Sequence, residues 1–170
     1  QKMKENLVNV RQDGTGVAHY DTEKDVIYLP RQRDFEHYND YVQEMMRQLV
    51  SATGHQQRLA REGMVMKNGK APSEDAVKKE KLITELASGV KMLELGLPAR
   101  LSKDSLGMVN YWTRELKEDP CLIDAIESEV NGALKVLKKA ELGEKVEYAT
   151  DQHQRETAQI QGPLPSHYFV

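Results

Sequence analysis

Val42, Met45, Met46, Leu49 and Val50 recur three and four positions apart, so residues 41–54 carry one apolar face at helical period. No other stretch constrains the fold as much. The pattern predicts an amphipathic helix that opens at a cap on Asp34 or Asn39 and stops at Gly54, a good helix-terminating residue. Ahead of it, "VAHYDTEKDVIYLP" offers two short β runs, residues 17–20 and 26–29, about the polar residues 21–25. Val17 and His19 alternate on one run and Val26 and Tyr28 on the other, which reads as a hairpin closed by Pro30. The hairpin is expected to pack beside the helix that contains Arg47.

Three further helices follow. A polar loop over residues 64–75, with Gly69 and Pro72, leads to a long helix capped by Ser73 or Asp75. Its apolar stripe is Val77, Leu82, Ile83, Leu86, Val90, Leu93 and Leu97. Residues 105–116 give a shorter helix with Met108, Trp112 and Leu116 on one side, and Asp119-Pro120 punctuates. Leu122, Ile126, Val130, Ala133, Leu134 and Leu137 form the stripe of the last helix, which ends near Gly143. The sum is a mostly helical α+β domain with a small N-terminal sheet and about four helices.

The chain has 170 residues, enough to bury a real core. We read residues 1–150 as a single domain and residues 151–170 as an extended C-terminal tail. The start at Gln1 and the loose "QIQGPLPSHYFV" read as cuts from a longer protein. A formal net charge of −3 with 30% charged residues excludes a general polycation, though a local basic face stays open. The single cysteine, Cys121, excludes an internal disulfide framework and a Cys-rich zinc site. No run approaches the roughly 18 consecutive apolar residues of a membrane span, and no signal peptide is expected. The expectation is a cytoplasmic protein without membrane contact.

With these elements in order, "VAHYDTEKDVIYLPRQRDF" and a helix ending "TGHQQRLARE" resemble the zincin-like metallopeptidase domain of ArdC-type antirestriction proteins. Related domains occur in polyvalent proteins of conjugative elements and phages. The family pattern is a hairpin with D-x-I-x-L-P and a nearby Phe, then a helix with H-E-x-x-H running into TGH and RL-x-R. Asp25, Ile27, Leu29, Pro30 and Phe35 match on one side; Thr53, Gly54, His55, Arg58, Leu59 and Arg61 match on the other. "EKLITELASGVKMLELGL" is similar to the family's second helix, E-E-L-x-A-E-L, which carries the third metal ligand. Glu80, Leu82, Glu85 and Leu86 fit, while Lys81 replaces an acid. "VNYWTRELKEDPCLIDAIESEVNGALKVL" resembles the closing segment, so the likeness runs over residues 17–137.

The resemblance implies a zinc site that these residues do not supply. In H-E-x-x-H two histidines on one helix face bind Zn²⁺ and the glutamate activates the bound water. Counting back from Thr53-Gly54 places those roles at Arg47, Gln48 and Ser51. Arginine stays protonated and offers no lone pair. Its charge at about 4 Å from a dication costs about 8 kcal/mol at an effective dielectric of about 20. Glutamine has no basic form to take a proton, and serine is a poor zinc ligand. No cofactor or metal is therefore expected, and Glu85, at the third-ligand position, is expected to pair with Arg47 instead. A solvated Glu85 on a charged helix and a surface Arg47 are the alternatives.

His55 could join His19 or His37 in a relocated metal site, or serve as polar packing. Arg58, Arg61, Lys67, Lys70, Lys78, Lys79 and Lys81 gather between the two frame helices, diluted by Glu62, Glu74, Asp75 and Glu80. As a solvated face they need no explanation. As candidate nucleic-acid contacts they would bind phosphates in a salt-dependent way, without interleaved aromatics for base stacking. Tyr111 and Trp112 read as core. Three functions follow. One is a catalytically inactive zincin-like interaction module of a mobile-element protein, with a protein partner or neighbouring domains of the same chain. ArdC-type proteins counter host restriction and associate with single-stranded DNA, so the resemblance adds antirestriction or DNA association to that module. The second is a metalloenzyme with a site rebuilt from Glu85, His55 and another residue. The third is an accessory domain of a larger DNA-processing protein such as a primase.

Overall fold

The computed structural model describes residues 1–12, 16–144 and 146. Among them are three short strands, Asn9–Arg11 (β1), His19–Asp21 (β2) and Val26–Tyr28 (β3). The five α-helices are Lys2–Leu7 (α1), Tyr38–Thr53 (α2), Glu74–Glu94 (α3), Lys103–Glu118 (α4) and Cys121–Glu141 (α5). The expected domain boundary near residue 150 and the tail over residues 151–170 lie outside the described residues.

The hairpin forms as expected, with His19 opposite Tyr28 and Asp21 opposite Val26. Its turn is built by Asp21, whose Oδ1 accepts from the backbone N–H groups of Glu23 (3.0 Å) and Lys24 (2.9 Å). Val17 departs from expectation: it precedes the strand and is 83% exposed, so the alternation begins at His19. Ahead of the expected runs lie two elements that the sequence pattern does not announce, α1 and β1. Met3 and Leu7, one turn apart, are buried on α1, which packs against α5 and α2. β1 pairs parallel to β3, so β3 is central in the order β1-β3-β2. That position explains why Val26 and Ile27 are both buried.

α2 begins later than a cap at Asp34 would give. Asp34 instead accepts the Arg31 N–H at 3.0 Å and closes a 3₁₀ turn at Gln32–Asp34. Asn39 lies inside the first turn of α2, and its amide reaches across to Pro98 O at 3.1 Å. Leu49, Val50 and Ala52 are fully buried and meet Ile27, Leu29, Ala133 and Leu137 in the core. Ser73 does cap α3, accepting from the Ala76 N–H at 3.2 Å. α5 buries Ile126, Val130, Ala133 and Leu137 as its stripe predicts and ends at Leu142-Gly143, where Gly143 takes φ +87°.

The face of α3 is a correction. Val77, Leu86, Val90 and Leu93 are exposed, Leu93 by 67%. The buried face holds Ala76, Ile83, Ala87 and Met92 together with Glu80, Glu85, Ser88 and Lys91. Counting apolar residues rotates the helix wrongly because its inward face is built partly from paired charges. Lys91 illustrates this: its Nζ lies 2.6 Å from Glu94 and 3.1 Å from Glu141, tying α3 to α5.

Candidate functional site

The C-terminal end of α2 is held by two arginines that the sequence offers as part of a solvated basic face or as candidate nucleic-acid contacts. Both are buried, Arg58 to 5% and Arg61 to 2% exposure, and neither is free to contact a phosphate. Arg61 donates through Nε to both oxygens of Glu80 on α3 (3.1 and 2.9 Å). Its Nη1 reaches Thr53 Oγ1 at 2.7 Å and its Nη2 reaches Val50 O at 2.8 Å and Glu80 Oε1 at 2.7 Å. A carbonyl left orphaned by the end of α2 is thereby satisfied and two helices are joined. Burial pushes the Glu80 carboxyl above its ordinary value, against the pull of Arg61.

Arg58 does the same for the hairpin. Its Nε donates to Ala52 O at 2.6 Å, its Nη1 to Asp25 Oδ2 at 3.0 Å, and its Nη2 to Tyr20 Oη at 3.1 Å and to Asp25 Oδ1. Burial pushes Asp25 up, but the hydrogen bonds from Arg58 and Tyr20 outweigh it and hold the carboxyl below its ordinary value. His55 completes the clasp. Its Nδ1 accepts the Gln57 N–H at 3.1 Å, which leaves Nε2–H to donate to Thr22 O, also at 3.1 Å. Both ring nitrogens are occupied, so His55 offers no lone pair to a metal. His19 stacks on Tyr28 and His37 lies beside Glu36 at the surface; the structure does not gather the three histidines.

Gly54 fits this arrangement for a reason the sequence reading did not give. Its φ is −85°, open to any residue, but a Cβ there would sit 2.7 Å from Arg61 Nη2. Glycine is required by the close approach of the guanidinium. It is not required by a left-handed turn.

The middle of α2 is different. Arg47 Nε lies 3.2 Å from Glu85 Oε1 on α3, so the expected ion pair is present. It is not bidentate. Arg47 spreads its fork, Nη1 to Glu44 Oε2 at 3.1 Å and Nη2 to Arg100 O at 2.7 Å. The Nε–H is not aimed at the carboxylate, and neither Nε nor Glu85 Oε2 has a hydrogen-bond partner among the described residues. Glu85 is 6% exposed, and its Oε1 accepts from Ser105 Oγ at 2.8 Å and from the Ser102 N–H at 3.4 Å. Gln48 donates to Glu44 Oε1 at 2.9 Å, and Ser51 is half-buried on the same helix.

The connection between α3 and α4 runs across this place. Asn39, Gln43 and Arg47, spaced four apart on α2, each bond to its backbone. Gln43 both accepts the Arg100 N–H, at 3.1 Å, and donates to Arg100 O. Of this row the sequence marks Arg47 through the family frame and Asn39 only as a candidate cap; the four-residue spacing of Asn39, Gln43 and Arg47 on the helix is the signal that carries Gln43. Arg47, Glu44, Ser102 and Asp104 line a cleft of about 450 Å³ that Val17, Ala18, Pro30 and Phe35 complete.

The remaining basic candidates divide. Lys67 and Lys70 are exposed and face each other across a tight turn at Asn68-Gly69, where both residues have positive φ. Lys78 and Lys79 are half-buried, and Lys78 lies 2.8 Å from Glu74 and 4.5 Å from the Tyr111 ring. No described helix is long and apolar enough to cross a membrane.

A sequence model of the family described as zincin-like metallopeptidase matches residues 2–127. Two solved structures of the antirestriction protein ArdC from the R388 plasmid are similar in fold. The Mn(II)-bound one has TM-score 0.71 at 24% identity, covering 82% of this chain and 50% of that one. The metal-free one also has TM-score 0.71, at 23% identity, covering 85% of this chain and 50% of that one. This chain thus spans half the length of each. Nothing among curated proteins matches it.

Proposed function

The chain belongs to the zincin-like metallopeptidase family, and we propose that it is a member in which an arginine has taken the place of the metal. In this reading Arg47, Gln48 and Ser51 hold the H-E-x-x-H positions and Glu85 the third-ligand position. The domain then acts as a catalytically inactive, cytoplasmic interaction module of a mobile-element protein. The observation that carries it is the 3.2 Å approach of the Arg47 guanidinium to the buried Glu85 carboxylate between facing helices.

The donor set does not fit a zinc ion. A guanidinium has no lone pair, an amide and a hydroxyl are weak ligands, and the one carboxylate already faces a cation. Among the described residues no group of three or more His, Cys, Asp or Glu could hold a metal. A site rebuilt around His55 is disfavoured by the two hydrogen bonds that use its ring nitrogens. One ArdC structure is Mn(II)-bound, and the proposal is that this chain departs from it there.

A partner protein or neighbouring domain fits the module better than DNA does. Arg58 and Arg61 are consumed by structural pairs, which leaves Lys67, Lys70 and Lys81 as the exposed cations of the expected patch. In this proposal an antirestriction or DNA-processing role would belong to the protein in which the module sits.

Calorimetric titration of the purified chain with Zn²⁺ and with Mn²⁺ tests the proposal. The chain is expected to bind neither stoichiometrically, and the variant Arg47→His/Gln48→Glu/Ser51→His is expected to bind zinc through two new histidines and Glu85. Stoichiometric tight metal on the unaltered chain overturns it. A folded triple variant that binds no zinc shows that the register or Glu85 is wrongly assigned.

A further inference from the structure

We propose that the groove where α3, α4 and α5 meet is a docking site for a peptide segment carrying lysine or arginine beside leucine-sized apolar residues. It encloses about 270 Å³. Its floor is apolar, made by Leu82, Trp112, Leu116, Leu122 and Ile126. Its rim carries the carboxylates of Glu62, Asp75, Glu115 and Asp119 against a single lining cation, Lys79. The floor provides area for a buried side chain, and the rim selects the sign of its neighbour.

The groove is rigid where it must be. Trp112 Nε1 donates to Lys78 O at 2.9 Å, so the indole is fixed to the backbone of α3 with its ring in the wall. Tyr111 Oη donates to Asp75 Oδ1 at 2.7 Å and stations that carboxylate at the mouth. The nearby cations are already engaged. Lys78 pairs with Glu74 at 2.8 Å, and Arg114 Nε lies 3.7 Å from Glu115. Glu62 is exposed and Glu115 half-buried where they line the groove, Glu115 sharing its charge with Arg114. Four lining carboxylates outnumber Lys79 and the Lys78 and Arg114 cations over the Tyr111 ring, a balance that favours a basic, partly apolar chain over nucleic acid or an acidic peptide. α2 contributes no lining residue, so the groove is separate from the Arg47 cleft. The inference deepens the interaction reading and rests on it only in supposing a partner.

Trp112 is the only tryptophan in the chain, so its emission reports on this wall. The probe is the peptide acetyl-Leu-Arg-Lys-Leu-Leu-Arg-amide, titrated with tryptophan emission and calorimetry read together. The control peptide has glutamate at each basic position. The basic peptide is expected to bind saturably and more weakly as salt rises, and the acidic control not at all. Glu62→Lys/Glu115→Lys is expected to weaken binding about tenfold, two exposed charge reversals each contributing modestly. Glu115→Gln, a milder change, is expected to weaken it less. The proposal is overturned if neither readout saturates with the basic peptide, if the acidic control binds as well, or if charge reversal in a folded variant leaves affinity unchanged. A concentration-dependent emission change without peptide would assign the groove to a second copy of the chain and overturn it too. Such failures leave the Arg47 reading standing, because metal titration tests that separately.

Discussion

Arg61 and Arg47 both reach a glutamate on α3, and they are satisfied very differently. Arg61 engages Nε, Nη1 and Nη2, and Glu80 accepts through both oxygens. Arg47 places its Nε beside Glu85 without a hydrogen bond, and Glu85 Oε2 has no partner among the described residues. A buried pair with every group satisfied holds a fold together; one that leaves a donor and an acceptor over is poorly accounted for by stability alone. The clasp around Arg61 therefore reads as architecture, and the Arg47–Glu85 contact as the remnant of a site refitted for another purpose.

The largest expected effect lies on the saturated side. Arg61→Ala leaves Glu80 buried without its partner and the end of α2 uncapped, and it is expected to destabilise the chain by about 3–5 kcal/mol in urea unfolding. Arg61→Lys should recover little of this, since an ammonium cannot reproduce the fork. A loss below about 1 kcal/mol would erase the contrast between the two arginines.

Gly54→Ala sharpens the same side. The added Cβ meets the Arg61 guanidinium and Met64 Cγ at 2.7–2.8 Å, so a loss of about 1–3 kcal/mol is expected. In Gly54→Ala/Arg61→Ala the cost of the glycine change should shrink, because the guanidinium is gone. Equal costs in both backgrounds would show that the glycine serves something else.

A smaller effect is pH-dependent. Asp25 is held below its ordinary carboxyl value in the folded chain, so its pairing with Arg58 contributes stability above about pH 4. That contribution is lost as pH falls through the lowered folded value. Asp25→Asn should be less stable at neutral pH and should lose less stability on acidification than the unaltered chain. Parallel pH profiles would show that Arg58 gains nothing from the carboxylate's charge.

The fold was legible wherever apolar period and turn chemistry agreed. Residues 19–28 pair as their alternation about a polar turn requires, and α2, α4 and α5 form where their stripes place them. α1 and β1 escaped because six and three residues carry too little period to stand out. α3 was misread because Glu80, Glu85 and Lys91 face inward, and a hydrophobicity count gives a paired charge no credit. Arg58 and Arg61 were misread for the same reason: residue type announced a basic surface, while their partners Asp25 and Glu80 lie far away in sequence. The Arg47–Glu85 contact was legible only through the family frame, which set both helices face to face.

The most direct test of the refitted site is a double-mutant cycle on Arg47 and Glu85, read by urea unfolding of Arg47→Ala, Glu85→Ala and the double variant. If Arg47 stands as the counter-charge to a carboxylate in a cleft built for a cation, its removal alone strands Glu85. The single loss should then exceed the loss in the double variant, with a coupling of about 1–3 kcal/mol. Two single losses that simply add would contradict the account and leave Arg47 holding only Glu44 and the backbone of Arg100.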